Sequence, residues 1–528
     1  MKKKMLPLAV SAAAAVSMSA SAQMYIENSG MGEILIFPFY SAEGGNATNI
    51  SIVNTTDHGK AVKVRFIEGE NSYEVLDFNV YMSPKDHFSM AVSATADGGG
   101  QVVTYDNTCT VPSFEPGVPE PFRGTLFKDE KKATAPGAFD NSSITRSAVG
   151  YIEVIEMGQL VDTKTGLVPD WNKAAAAETT NLMLTAITHD ATGVPADCTL
   201  PNTAWSTAAG GTKGTWKAEF DAAGKGKSYF SKTWIGGGLY GYAGVVNAAD
   251  ATAFGEDAIA IASAVDKQKV NGAGGEGGWA LHYQPGNTNP DFSDSNLATT
   301  SSVAYNGAIK DFTFALAPVQ TVSSLIQTDE IVNDYVTDST IAALTDWVIT
   351  MPTKSFYVNV AGARADAPFF DKWDKKTACE YAALTLTDRE ESNPAPPPGS
   401  KPDFSPAPET DTPDIDDLPL CYETNIVQFG AESAVKNESL AVGVNARLDA
   451  ADGWASISFD PADLQADSAK LADATRLIQE PAGAQKSLRG LPVVGFAVQT
   501  YTNNNVNGSG NVANYAMSNE HKMVVVGS

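Results

Sequence analysis

A chain of 528 residues, 43% hydrophobic and 9% aromatic, is long enough for several cores and too apolar to stay disordered. Only 19% of its residues are charged, and 45 glycines and 28 prolines favour turn-rich β architecture over helical bundles. With 62 acidic against 36 basic residues and a formal charge of −26, the chain repels phosphate backbones. That excludes nucleic acid as a partner and leaves divalent cations, or a basic or cation-bridged surface, as the fitting charge partners.

Lys2, Lys3 and Lys4 precede an Ala-rich apolar run over residues 6–18, and Ala20-Ser21-Ala22 then supplies small residues for cleavage. This pattern predicts an export leader over residues 1–22, with Gln23 as the mature N-terminus and the cell surface or medium as the destination. No cysteine follows the apolar run, so a lipoprotein leader is not expected. No later stretch approaches the ~18 uncharged apolar residues of a transmembrane anchor. A regular series of ~10-residue alternating strands, the mark of an outer-membrane barrel, is also missing.

Residues 33–37, 49–53, 62–66, 76–80 and 88–94 read as short strands parted by Gly, Asn, Asp and Ser turns. Val62, Val64 and Phe66 alternate with Lys63 and Arg65, and Leu76, Phe78 and Val80 with Asp77 and Asn79. Half-buried strands with polar residues outward are therefore expected, and the spacing predicts an immunoglobulin-like β-sandwich over residues 23–105. Residues 147–157 and 238–246 predict two more strands in a β-rich domain spanning 106–250.

An α+β segment over 251–378 follows. Glu256 and Asp257 suit the start of one helix, and Val322, Leu325, Ile326, Val332, Tyr335 and Val336 recur at helical spacing in another. Strands are expected at residues 347–350 and 355–360. Residues 379–421 carry nine prolines and several acids with little apolar content, which predicts an extended surface loop. The C-terminal β-rich domain, 422–528, has strands at 454–459, 491–501 and 522–526. Asp460-Pro461 there marks the N-terminus of a helix running to about Ile478. The fold class is thus mainly β with minor helices.

The cysteines are Cys109, Cys198, Cys379 and Cys421, an even number that in an exported chain reads as two disulfides. Three pairings are possible. The similar settings Cys109-Thr110-Val111-Pro112 and Cys198-Thr199-Leu200-Pro201 favour pairing those two, so that Cys379–Cys421 closes the Pro-rich loop. No Cys-x-x-Cys suggests zinc or redox chemistry.

No enzyme constellation emerges. His58, His87, His189, His282 and His521 are scattered, and no Gly-x-Ser-x-Gly elbow occurs. Gly226-Lys227-Ser228 resembles the end of a phosphate loop, but Asp221 stands where its first glycine belongs. Asp414, Asp416 and Asp417, beside Glu409 and Asp411, form a hard-oxygen cluster suited to calcium, without the spacing of an EF-hand. Asp449 with Asp452, and Asp291 with Asp294 and Asn296, are weaker versions of the same idea. Trp205, Trp216 and Trp234 fall close together and suit either core packing or sugar stacking.

Two segments carry a family resemblance. One is Ile52-Val53-Asn54-Thr55-Thr56-Asp57, running into residues 61–66 and on to 75–84. The other is Thr345-Asp346-Trp347-Val348-Ile349-Thr350-Met351-Pro352-Thr353-Lys354. With the leader and the acidic balance, they resemble a family of acidic surface proteins of marine gammaproteobacteria, some of which look like S-layer proteins. The resemblance implies a self-assembling structural protein of the cell surface or extracellular matrix, with copies of itself, and outer-membrane lipopolysaccharide, as partners. It implies no catalytic residue and no organic cofactor. Because a strongly negative chain opposes its own association, assembly is expected to depend on bridging calcium. The alternative is a secreted adhesin or glycan-binding protein using exposed tryptophans. A secreted hydrolase working with two carboxylates is the remaining, least favoured class.

Overall fold

The computed structural model describes residues 23–128, 143–161, 183–205, 230–231, 233–272, 277–314, 318–359, 368–374, 376–389, 417–444, 448, 450–464, 476–481, 486–503 and 513–527. Its first strands are β1 (Gln23–Ile26), β2 (Ile34–Ser41), β3 (Asn46–Asn54), β4 (Gly59–Glu68), β5 (Glu74–Met82), β6 (His87–Ala94), β7 (Gly100–Val103) and β8 (Cys109–Val111). Then come β9 (Glu120–Pro121), β10 (Val149–Leu160), β11 (Leu239–Asn247), β12 (Thr252–Asp257), β13 (Ile259–Ala262), β14 (Thr300–Tyr305) and β15 (Ala308–Thr313). The C-terminal half adds β16 (Gln327–Thr328), β17 (Glu330–Val336), β18 (Ala343–Thr350), β19 (Glu380–Asp388), β20 (Asp417–Leu420), β21 (Thr424–Gln428) and β22 (Ala441–Gly443). It ends with β23 (Asp452–Ser458), β24 (Leu477–Gln479), β25 (Ser487–Arg489), β26 (Leu491–Pro492), β27 (Val494–Tyr501), β28 (Tyr515–Glu520) and β29 (Lys522–Val524).

The first fifteen strands build two sheets, a nine-stranded one in the order β15-β14-β1-β13-β2-β10-β4-β5-β8 and a six-stranded one in the order β12-β11-β3-β6-β7-β9. Leu35, Phe37, Val64, Phe66 and Phe78 of the larger sheet meet Ile50, Ile52, Phe88 and Val92 of the smaller in one apolar layer. Both sheets run well past the immunoglobulin-like unit expected for residues 23–105. β10, from residues 149–160, is inserted between β2 and β4, and β11 pairs with β3 along its whole length. Local alternation identifies strands but carries no information about which distant strand completes their ladder, so the sheets do not close at residue 105.

Two five-stranded sheets, β20-β19-β23-β17-β29 and β22-β21-β18-β27-β28, form the second half. Trp347 of β18 is fully buried between them, its ring 5.1 Å from Phe429, which in turn stacks at 5.3 Å on Tyr335. The other face of that sheet joins the first sandwich: Val348, Ile426, Phe496 and Val498 share its core, and Phe496 meets Phe39 edge-on at 6.3 Å. β2 continues through Pro38, where a bulge against β10 absorbs the residue that cannot donate to a ladder. The Pro38 carbonyl accepts the Thr350 hydroxyl at 2.7 Å, tying the halves together.

The alternation along β4 is present, but its polar residues do not face water. Lys63 is 0% and Arg65 6% exposed, because the chain around Tyr283–Asn287 lies over that side of the sheet. Lys63 meets Asp77 at 2.6 Å, and Arg65 meets Glu74 at 2.7 Å and Glu153 as well. Asn79, also read as outward, is buried and donates to the Tyr283 carbonyl. On the core face of β4 the order is Lys60, Val62, Val64, Phe66, Glu68. The apolar layer is therefore closed at one end by Lys60–Glu156, 2.7 Å apart, and at the other by Glu68–Arg146, 2.9 Å apart.

Several expected elements differ. Residues near Glu256 and Asp257 form β12 and β13, not a helix, since Thr252–Asp257 pairs residue by residue with β11. The helical stretch around Val322 is the helix Pro318–Leu325, which stops before Val332, Tyr335 and Val336; these belong to β17. The expected strand over 355–360 starts as one helical turn, Ser355–Val358. Asp460 does cap a helical turn, accepting from the Ala462 amide at 2.9 Å, but the turn is three residues long and Ile478 lies in β24. The extended loop expected over 379–421 does not cover that range: β19 and β20 pair at its two ends, and residues 390–416 lie outside the described part.

The buried ion pairs give a direct test. Lys60→Met strands Glu156 in the core and is expected to cost about 3–5 kcal/mol in denaturant unfolding, whereas Lys60→Met combined with Glu156→Met recovers most of the loss. Equal destabilisation by the single and double variants would show that the pair is not the buried unit described here.

Candidate functional site

The structure holds disulfides Cys109–Cys198 and Cys379–Cys421, the two pairs read from the sequence. The first clasps β8 to the segment opening the helix Thr199–Ala204, across 89 residues. The second joins the start of β19 to the end of β20, where the Pro-rich stretch leaves and returns. Two structural disulfides point to folding in an oxidising compartment. Among the described residues, no helix is long and apolar enough to cross a membrane.

The acidic candidates separate. Asp414 and Asp416 lie outside the described residues, while Asp417 opens β20, is buried, and pairs across the ladder with Ala383. Asp449 also lies outside them, and Asp452 is bridged to Arg389 at 2.8 Å. Asp291 accepts from Ser293, and Asp294 from Tyr283 and Asn296, so those carboxylates serve the turns that carry them. Among the described residues, no group of three or more His, Cys, Asp or Glu side chains gathers at metal-binding range. Trp205 and Trp234 are buried, Trp205 donating to the Tyr81 hydroxyl at 2.9 Å, and neither offers a stacking face. Trp216, Asp221 and Gly226-Lys227-Ser228 fall outside the described residues.

One pocket brings together a hydroxyl, an imidazole and a carboxylate that sequence reading left apart. It encloses about 440 Å³ between Ser83, Asp86, Tyr105, Asp106 and His189. Ser83 Oγ lies 3.1 Å from His189 Nδ1, and Asp86 Oδ1 lies 3.8 Å from the same nitrogen. A nucleophile relay needs the two partners on opposite ring nitrogens, so that one orients the base while the other is deprotonated. Here both crowd one nitrogen. Asp86 also accepts the Ser83 and His87 amides and the Thr108 hydroxyl, which fixes the chain between β5 and β6.

The broadest surface feature is the outer face of the six-stranded sheet. Pleating sends Tyr240, Tyr242, Gly244 and Val246 of β11 outward and Leu239, Ala243 and Val245 into the core. Ladder pairing then sets Asp257, Tyr242, Ser51 and Ser89 in one row and Gly255, Gly244, Asn49 and Ala91 in the next. Val246 stands with Ala253 and Ala47 in a third. Tyr240, Tyr242 and Val246 are 38%, 47% and 36% exposed. Asp257 is the one formally charged side chain in these three rows. The sequence showed β11 as a strand, and its Tyr-x-Tyr-x-Gly-x-Val alternation held the signal for this face; which neighbours would extend it was not legible.

Beside this face β12 runs along β28 without a backbone ladder. They are joined by the Ser518 hydroxyl on the Gly255 carbonyl and by Asn514 on the Asp250 carbonyl at 2.6 Å. The groove between them, about 460 Å³, holds Glu256 beside Asp257, Glu520 and Lys522. Burial, with help from the Glu520 and Asp257 charges, pushes the Glu256 carboxyl up to about 7, against the Ser518 hydrogen bond and the Lys522 ammonium.

No family model, curated protein or solved structure matches this chain.

A carboxyl raised by folding binds a proton that the unfolded chain has already released. The stability it contributes is full below the ordinary glutamate range and is lost as pH rises through about 7. The denaturant midpoint is therefore expected to fall between pH 5 and 8, and Glu256→Gln to make that slope shallower. Superimposable pH profiles for the two proteins would show that Glu256 does not titrate in this window.

Proposed function

We propose that this chain is a self-assembling, non-enzymatic structural protein of a bacterial cell surface, forming an S-layer-type lattice or a matrix component. The observation that carries the reading is the wide, nearly uncharged sheet face on a framework whose sequence bears a formal charge of −26. Like-charged copies approach at lowest cost where charge is absent. Stacked sheets stapled by two disulfides supply the stiffness that a repeating array requires. The disulfides and the leader-like first 22 residues support export to the surface or medium. The resemblance to acidic surface proteins supports lipopolysaccharide as the anchoring partner. Calcium enters as the bridge between carboxylates of neighbouring copies, with Asp414 and Asp416, next to the buried Asp417, the first place to seek it. Adhesion to glycans is the second reading, favoured by the exposed aromatic rings of Trp454 and Tyr105.

Negative-stain microscopy of the secreted chain, with and without millimolar calcium, tests the proposal. Ordered sheets that disperse on chelation are expected. Arrays that survive chelation would remove calcium from the account, and single particles under both conditions would favour the glycan-binding reading.

A further inference from the structure

We propose that the outer face of the six-stranded sheet is an isologous contact surface for a second copy of this chain, with Tyr242 of each copy seated over Gly244 of the other. The proposal rests on the self-assembly reading above and names the surface it uses.

Shape is the first argument. Tyr242 and Gly244 point to the same side of β11 and stand about 7 Å apart along the strand. Tyr242 is a half-exposed knob. A Cβ built on Gly244 meets nothing nearer than the Phe254 carbonyl oxygen at 3.9 Å, so the space above that glycine is open. Its cross-strand neighbour is Gly255, where a Cβ would meet the Ala243 carbonyl oxygen at 2.8 Å, so no side chain stands beside the depression on β12 at that position. A two-fold axis lying between two such faces, across the strands and midway between the Tyr242 and Gly244 rows, places each knob over the other copy's depression. Knob and hole on one patch satisfy the self-complementarity an isologous interface requires.

Charge and area agree with this arrangement. Charge is confined to one margin: the three rows carry one carboxylate, Asp257, while Glu256, Glu520 and Lys522 line the groove that Tyr242, Gly244 and Gly255 share with β28. β12, β11, β3, β6 and β7 hold 6, 9, 9, 8 and 4 residues, and at about 3.4 Å per residue and about 4.8 Å between strands they give roughly 590 Å² of projected area per copy. Two copies then bury roughly 1,200 Å², just above the ~1,000 Å² of a specific interface.

The competing route, edge-to-edge pairing through β15, is obstructed. β15 ends the nine-stranded sheet and exposes Ile309, yet the Thr313 amide donates to the Glu480 carboxylate and the Asp311 carbonyl accepts from Lys486, each at 2.7 Å. Charged side chains thus occupy the groups a new strand would need.

Sedimentation velocity on the full secreted chain, with thermal melting as the check on folding, tests the surface. Tyr242→Ser and Gly244→Glu are each expected to raise the dissociation constant of the first association step by about 30-fold or more, with melting unchanged. Ile309→Ser is expected to leave it as in the parent chain. Association of both face variants with the parent constant would overturn this surface while leaving self-assembly intact. A parent chain that stays monomeric at tens of micromolar, with and without calcium, would overturn both. If Gly244→Glu lowers the melting temperature, the exposed Tyr242→Ser decides alone.

Discussion

The middle of the nine-stranded sheet, β2, β10 and β4, is covered on both faces, and this constraint orders the rest of the molecule. A sheet with one wet face leaves its alternate residues to solvent; here β4 and β10, at the middle of the sheet, are buried along their full length. Every polar side chain they carry must then find a partner inside the protein. Lys60, Lys63, Arg65 and Glu68 do so through Glu156, Asp77, Glu74, Glu153 and Arg146. The partners come from β5, β10 and the chain leading into β10, so the ion pairs also fix which strands lie beside β4.

That arrangement has an electrostatic cost. Burial pushes the Glu153 and Glu156 carboxyls up to about 7 despite the cations beside them, and Asp346 and Glu423 are raised to about 7 and 8 by the same cause. Asp346 is held by the Ser433 hydroxyl at 2.6 Å and the Val435 amide at 3.0 Å. The six-stranded sheet differs: its outer face leaves Tyr240, Tyr242 and Val246 exposed.

The sequence by itself determined the mainly β class, most of the strand positions from β2 to β6, and β10, β11 and β23. It also favoured the two disulfide pairs found, and it marked Asp460 as a cap. Each of these is a local matter, settled by alternation, turn chemistry or matching neighbourhoods within a few residues. Only the tertiary structure decided what covers each face. Lys63 and Arg65 alternate with apolar neighbours as solvent-facing residues do, and the segment that buries them arrives more than 200 positions later. Thr252–Asp257 became a strand because β11 offered it an edge, overriding the helix-start signal of its carboxylates. Tyr242 and Gly244 formed a patch because β3 and β12 flank β11 in register. Alternation along a strand fixes which residues share a side, but the side that meets water is set by contacts between segments far apart in the chain.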